Sequence, residues 1–165
     1  MPFQILIAPD SLKGSLTASQ AAAAMAKAVR RVLPQADVTT VLISDGGENA
    51  VELWSEMGAG RPVLAETVNA LGEPIQAPYV VFEDGQSAWV ELSQASGLHL
   101  IEPHRRNALA ASTYGTGLLI KDAVARGCTE LTVGLGGSAT TDGGAGVLVA
   151  LGYSLLDADG QEVPL

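Results

Sequence analysis

Apolar and polar positions along the chain follow two periods, and the period marks the elements. Residues 3–8 are a short apolar run closed by Pro9 and Asp10, which predicts a buried strand. Thr17 with Gln20 three residues later predicts a capping box. Beyond it, Ala21, Met25, Ala28, Val29 and Val32 recur at helical spacing and predict one apolar face, stopped by Pro34. The β-branched run 37–43 predicts a second strand, and a helix is expected from about residue 47 to 57 with Gly58 at its end. Strand, helix, strand, helix is the opening of an α/β fold with a doubly wound, mostly parallel sheet.

Between Arg61 and Leu92 the pattern shortens. Three strand-like runs lie close together, no long helix fits between them, and Asp84-Gly85 marks a hairpin turn. This predicts an antiparallel insertion that starts a second domain. The expected division is therefore a first α/β segment at 1–60 and a second domain at 61–165, with antiparallel strands to residue 92. From 93 a loop-rich connector leads into a helix closed by Gly127, a strand at 129–135, a glycine-rich stretch, a helix and a strand from Tyr153. The sequence then turns at "DADG" toward "QEVPL", so a hairpin is expected there, and the chain reads as the N-terminal part of something longer. No repeat and no low-complexity tract is visible.

Composition narrows the function. Of the 165 residues 47% are hydrophobic and 16% charged, which suits a globular domain. The net charge of −9 argues against a nucleic-acid or anionic-membrane surface. No signal peptide or membrane span is expected from the pattern. The single cysteine, Cys128, predicts no internal disulfide and a cytoplasmic chain.

The candidate chemistry sits where strands end. "GLGGSATTDGGAGVLVALG", 134–152, holds seven glycines between a strand and a helix, with Ser138, Thr140, Thr141 and Asp142 among them. Such a stretch is either close packing of helix on sheet or a cradle for an anion. Asp142 reads equally as a helix cap, a Mg²⁺ ligand or a base accepting a hydroxyl proton. Gly134, Gly136 and Ala139 also match G-x-G-x-x-A, with Asp157 near the position of a ribose-binding acid. That keeps an NAD-type oxidoreductase open. "APDSLKGS" places Asp10, Ser11 and Lys13 after the first strand, and "SDGGENA" places Asp45, Gly46 and Glu48 after the second. Loops at strand C-termini converge on one edge of a parallel sheet, as a binding site requires. "PHRRN", 103–107, is a solvated loop that could meet an anionic substrate, and His99 reads as structural.

Taken in order, "APDSLKGSLTA", "SDGGENA", "RNALAASTYGTG" and "GLGGSATTDGGAG" resemble the successive motifs of the bacterial type-I glycerate kinases, over essentially all 165 residues. The resemblance implies two intertwined α/β domains with an active site between them. It implies phosphorylation of D-glycerate by ATP with Mg²⁺, generally to 2-phosphoglycerate. It also implies site roles for Asp10, Ser11, Lys13, Asp45, Gly46, Gly136, Gly137, Ser138 and Asp142. In that assignment Asp142 activates the glycerate hydroxyl or holds Mg²⁺, Lys13 neutralises the transferring phosphate, and the 136–138 amides bind an anion. The family usually has Gly-Thr after Glu48, Asn before Asp142, and an aromatic and an acid flanking Lys13. Here those places hold Asn49 and Ala50, Thr141, and Leu12 and Gly14. Family members run to more than twice this length, which leaves a non-catalytic binding or assembly module as a third reading. Self-association through open sheet edges is expected of such a piece.

Overall fold

The computed structural model describes residues 3–12, 14–47 and 49–164. Two of the motif residues singled out above, Lys13 and Glu48, lie outside them. The described chain divides into two compact units, 1–45 and 46–165.

The first unit contains β1 (Gln4–Ile7), α1 (Ala18–Val32) and β2 (Asp37–Thr40), with β1 and β2 paired in parallel. The capping box at its helix forms as expected: Thr17 Oγ1 accepts from Gln20 N at 3.2 Å and Gln20 Oε1 accepts from Thr17 N at 3.1 Å. The buried face of α1 matches the expected one at Ala21 and Val29 and departs from it at Met25 and Val32. Ala18, Ala21, Ala22 and Ala26 are buried, whereas Met25 is 44% and Val32 79% exposed. Met25 and Val32 fall off that face because alanines let the helix lie close on Ile7, Ile5 and Val38.

The second unit is a four-stranded sheet in the order β3 (Gly60–Val68), β4 (Pro74–Phe82), β5 (Ser87–Glu91), β6 (Glu130–Gly134). The pairs β3–β4 and β4–β5 are antiparallel, and β5–β6 is parallel. The fold is thus α/β with both kinds of pairing. At the β4–β5 turn, Asp84 Oδ1 accepts from the amides of Gln86 and Ser87, both at 2.8 Å. The parallel pair is joined by a crossover of α3 (Ser93–Ser96), two 3₁₀ turns and α4 (Tyr114–Ala125). Its core is built from Val63, Ala65, Ala77, Tyr79, Val81, Ala88 and Val90 of the sheet with Leu119, Ile120 and Ala123 of α4.

The helix α2 (Ala50–Glu56), placed by the sequence reading in the first segment, packs on β3, β4 and β5. Trp54 explains this: its ring meets Phe82 edge-on at 5.2 Å and lies 5.9 Å from Trp89. The last helix, α5 (Ala145–Ala150), crosses α4 closely, and a Cβ on Gly117 would run into Ala150 and Val147.

The strand expected from Tyr153 does not form. That segment makes a single antiparallel bridge, Leu156 to Glu162, around the "DADG" turn. Asp157 Oδ1 accepts from the amides of Asp159 and Gln161 at 2.9 and 2.8 Å. Its carboxylate closes a local turn (a familiar use of Asp) rather than ending a strand where a ribose would sit.

Candidate functional site

The glycine-rich loop leaves β6 and runs to α5, and its backbone is held from two sides. Leu98 N donates to Gly137 O at 2.8 Å, Ala139 N to Ser96 O at 2.9 Å and Leu92 N to Gly134 O at 3.0 Å. These bonds spend the carbonyls of Gly134 and Gly137 on the connector. The amides of Gly136, Gly137 and Ser138 donate to no acceptor among the described residues. Ser138 Oγ is used locally, accepting from Thr140 N at 3.1 Å.

Gly134 and Gly136 are needed for close approach. A Cβ on Gly134 would overlap Gly46 O and the Trp89 ring, and one on Gly136 would overlap Gly47 Cα. Gly46 and Gly47 and the glycine-rich loop therefore lie backbone against backbone. The packing explanation of these two glycines holds, and it creates a seam in which amide-bearing segments meet.

Asp142 anchors the far end of the loop. Its Oδ2 accepts from Thr113 N and Thr113 Oγ1, both at 2.8 Å, and from Gly146 N at 3.1 Å. Oδ1 accepts from Gly144 N at 3.2 Å. Thr113 Oγ1 in turn accepts from Val147 N at 3.1 Å. Partial burial pushes the Asp142 carboxyl up, but the donors from Thr113, Gly146 and Gly144 outweigh it and hold its pKa below the usual range. A carboxylate so stabilised is a weak base. A depressed folded pKa means that its stabilisation is present above the unfolded value, about 3.9, and disappears as pH falls through the folded one. The gap in melting temperature between the wild type and Asp142→Asn is thus expected to be open at pH 6 and to narrow toward about pH 3, as circular-dichroism melts would show.

Between the loop, α4 and α5 lies a cavity of about 500 Å³. Leu92, Ile120, Val133, Leu135 and Val147 give it an apolar floor, and Ser138, Thr140 and Asp142 a polar rim. That combination suits a small ligand.

Of the predicted site residues, the second unit brings together Gly46, Gly136, Gly137, Ser138 and Asp142. Asp10, Ser11 and Asp45 belong to the first unit. There the Asp10 carboxylate accepts from Ser11 N at 2.6 Å, and Asp45 is exposed. Sequence reasoning missed Thr113 and Glu91. Thr113 lies within the quoted "ASTYGTG" motif, and a threonine immediately before a helix is a readable cap signal. Glu91 is an acid directly after the apolar run 88–90 and 1% exposed. A charged residue at a core position is a signal in itself.

Three close donors fill Asp142 Oδ2, while Oδ1 accepts from Gly144 N alone and keeps room for a further partner. Among the described residues no three His, Cys, Asp or Glu side chains cluster as metal ligands. No described helix is long and apolar enough to cross a membrane.

Comparison with known proteins points one way. The profile of the glycerate kinase family matches residues 5–165. A glycerate kinase from Bacillus subtilis is 44% identical over 160 residues, covering 97% of this chain and 42% of that protein. One from Halalkalibacterium halodurans is 43% identical, over 96% of this chain and 42% of its own length. A glycerate 2-kinase from Escherichia coli is 42% identical, with 97% and 42% covered. A crystal structure described as glycerate kinase 2 from Salmonella typhimurium LT2 superposes with a TM-score of 0.75 at 42% identity. It covers 99% of this chain and 44% of that one. The chain spans about two fifths of the length of these relatives.

Proposed function

This chain belongs to the glycerate kinase family, and from that membership we propose that it carries the phosphate-binding portion of an ATP-dependent D-glycerate kinase. The observation that supports the reading is the run of amides at Gly136, Gly137 and Ser138 with no acceptor among the described residues, in a loop held through the carbonyls of Gly134 and Gly137. Preorganised amides suit phosphoryl transfer, in which positioning and charge stabilisation do most of the work. In the reaction a glycerate hydroxyl oxygen bonds to the γ-phosphorus, the bond from that phosphorus to the ADP oxygen breaks, and the hydroxyl proton leaves. The 2-phospho product, and a cytoplasmic setting, are the finer parts of this reading.

We assign Asp142 to positioning. With Thr113 it locks the start of α5 to the start of α4 and so fixes the end of the amide-bearing loop. Mg²⁺, which accompanies ATP, is given no protein ligand here and no step. Lys13, Asp10, Ser11 and Asp45 remain candidates for contact with the transferring phosphate or with glycerate. Single alanine variants would test each of them.

The test is D-glycerate-dependent ADP formation from Mg-ATP, with Mg-ATP binding followed on the same sample. Turnover supports a catalytic set within these residues. Binding without turnover restricts the chain to the nucleotide-binding part, and absence of both overturns the proposal. NADH binding that ATP does not compete away would favour the oxidoreductase reading instead. The position of Asp157 within its turn speaks against that outcome.

A further inference from the structure

Glu91 is a buried carboxylate to which the reaction outlined above gives no role. It ends β5, the strand at the centre of the seam, and is 1% exposed. Its Oε2 accepts from Val51 N, in the first turn of α2, at 3.1 Å. Its Oε1 accepts from Ser93 Oγ and, at 3.3 Å, from Gln94 Nε2. Two residues earlier on the same strand, the Trp89 ring lies against both Gly46 and Gly134. One strand end therefore touches both sides of the seam: α2 through Glu91, and Gly46 and the glycine-rich loop through Trp89.

We propose that Glu91 is a positioning residue, which clamps the start of α2 so that the Gly46–Gly47 backbone stays seated against Gly134 and Gly136. The clamp acts at a helix start where, among the described residues, the N-cap side chain makes no capping bond. Asn49 has a left-handed backbone, φ 69°, and makes no side-chain capping bond. An anion reached from across the sheet supplies what the local sequence lacks. The choice of a carboxylate also makes the clamp titratable. Burial raises the Glu91 pKa, partly offset by Ser93 and Val51, and the Glu52 charge on α2 raises it further. Glu52 is the charged group that acts on it. Opposite it β6 offers Gly134, and α3 offers the neutral Ser93 and Gln94.

The assignment of a job to the seam rests on the proposed phosphate-binding reading, but its first test needs no ligand. The chain has two tryptophans, Trp54 on α2 and Trp89 in the seam, so intrinsic emission reports on the clamp. Between pH ~4 and ~8 the wild type is expected to show an emission transition with its midpoint above the ordinary glutamate value of about 4.3. Glu91→Gln removes that transition, and Glu52→Gln lowers its midpoint without removing it. An unchanged transition in Glu91→Gln, or a flat wild-type profile, overturns the proposal. Should Glu91→Gln fail to fold by circular dichroism, the Glu52→Gln shift still decides, since an unmoved midpoint is incompatible with Glu91 as the titrating group. A second measurement uses inorganic triphosphate as the probe. Glu91→Gln is expected to weaken its binding about tenfold, as loss of precise placement does, and unchanged affinity counts against the clamp. Failure of the wild type to bind triphosphate would instead count against the phosphate-binding reading and leave the emission result standing.

Discussion

Asp142→Ala is expected to lower folding stability by about 2 kcal/mol, because hydrogen bonds to a charged acceptor are among the stronger ones and their donors are left partly buried. The donors are Thr113 N, Thr113 Oγ1, Gly144 N and Gly146 N. They come from two helix starts, so losing the acceptor frees one helix from the other. The effect should be strongly coupled to Thr113. In a Thr113→Val background, Asp142→Ala is expected to cost less by ~1 kcal/mol, the size of coupling usual for residues in direct contact. Denaturant melts of the two single variants and the double variant measure it. Additive effects would show that the Thr113 hydroxyl contributes little to the lock and that the backbone donors carry it. Nucleotide binding should weaken in Asp142→Ala along with stability, because the same loop carries the Gly136–Ser138 amides.

Gly136→Ala is the second large effect. The added Cβ meets Gly47 Cα, a backbone atom that cannot swing aside as a flexible side chain would. Overpacking of this kind costs roughly 1–3 kcal/mol. The seam can also open to make room, and then the loss appears in function rather than in stability. Either way, triphosphate affinity is expected to fall by about tenfold or more. A control is Gly58→Ala, at a glycine with no neighbour within 4 Å of an added Cβ. Its φ of 66° gives it backbone strain without a collision. Gly58→Ala should therefore lower stability a little and leave affinity alone. Equal affinity losses in the two variants would mean that backbone strain, and not the seam, governs binding.

These two residues also show what could be read from the chain. The glycine-rich stretch stood out because seven glycines between a strand and a helix have few uses. What the glycines touch was not readable: the partners of Gly134 and Gly136 are Gly46 and Gly47, about ninety residues earlier in the sequence. Asp142 could be read as a cap, and it does accept from Gly144 and Gly146. Its stronger tie to Thr113, 29 residues away, exists only because α4 and α5 cross closely. The strand–helix order was legible from periodicity and stop signals. The face of α1 was legible only in part, at Ala21 and Val29, because hydrophobicity ranks Met25 and Val32 above the alanines that shape complementarity actually buries. The strand expected from Tyr153 shows the same limit. Apolar residues permit a strand, but a neighbouring edge must pair with it, and here pairing stops at the bridge from Leu156 to Glu162.

On the proposed reading, the Gly136–Ser138 amides receive the phosphate chain of ATP. The most direct measurement is an amide chemical-shift titration of the ¹⁵N-labelled chain with Mg-ATP. Saturable shifts are expected at Gly136, Gly137 and Ser138, with smaller ones at Gly46 and Gly47 across the seam. Little change is expected at the opposite end of the sheet, where Gly60, Arg61 and Glu83 line a second cavity of about 600 Å³. Shifts confined to that opposite end, with Gly136 to Ser138 unmoved at saturation, would contradict the reading.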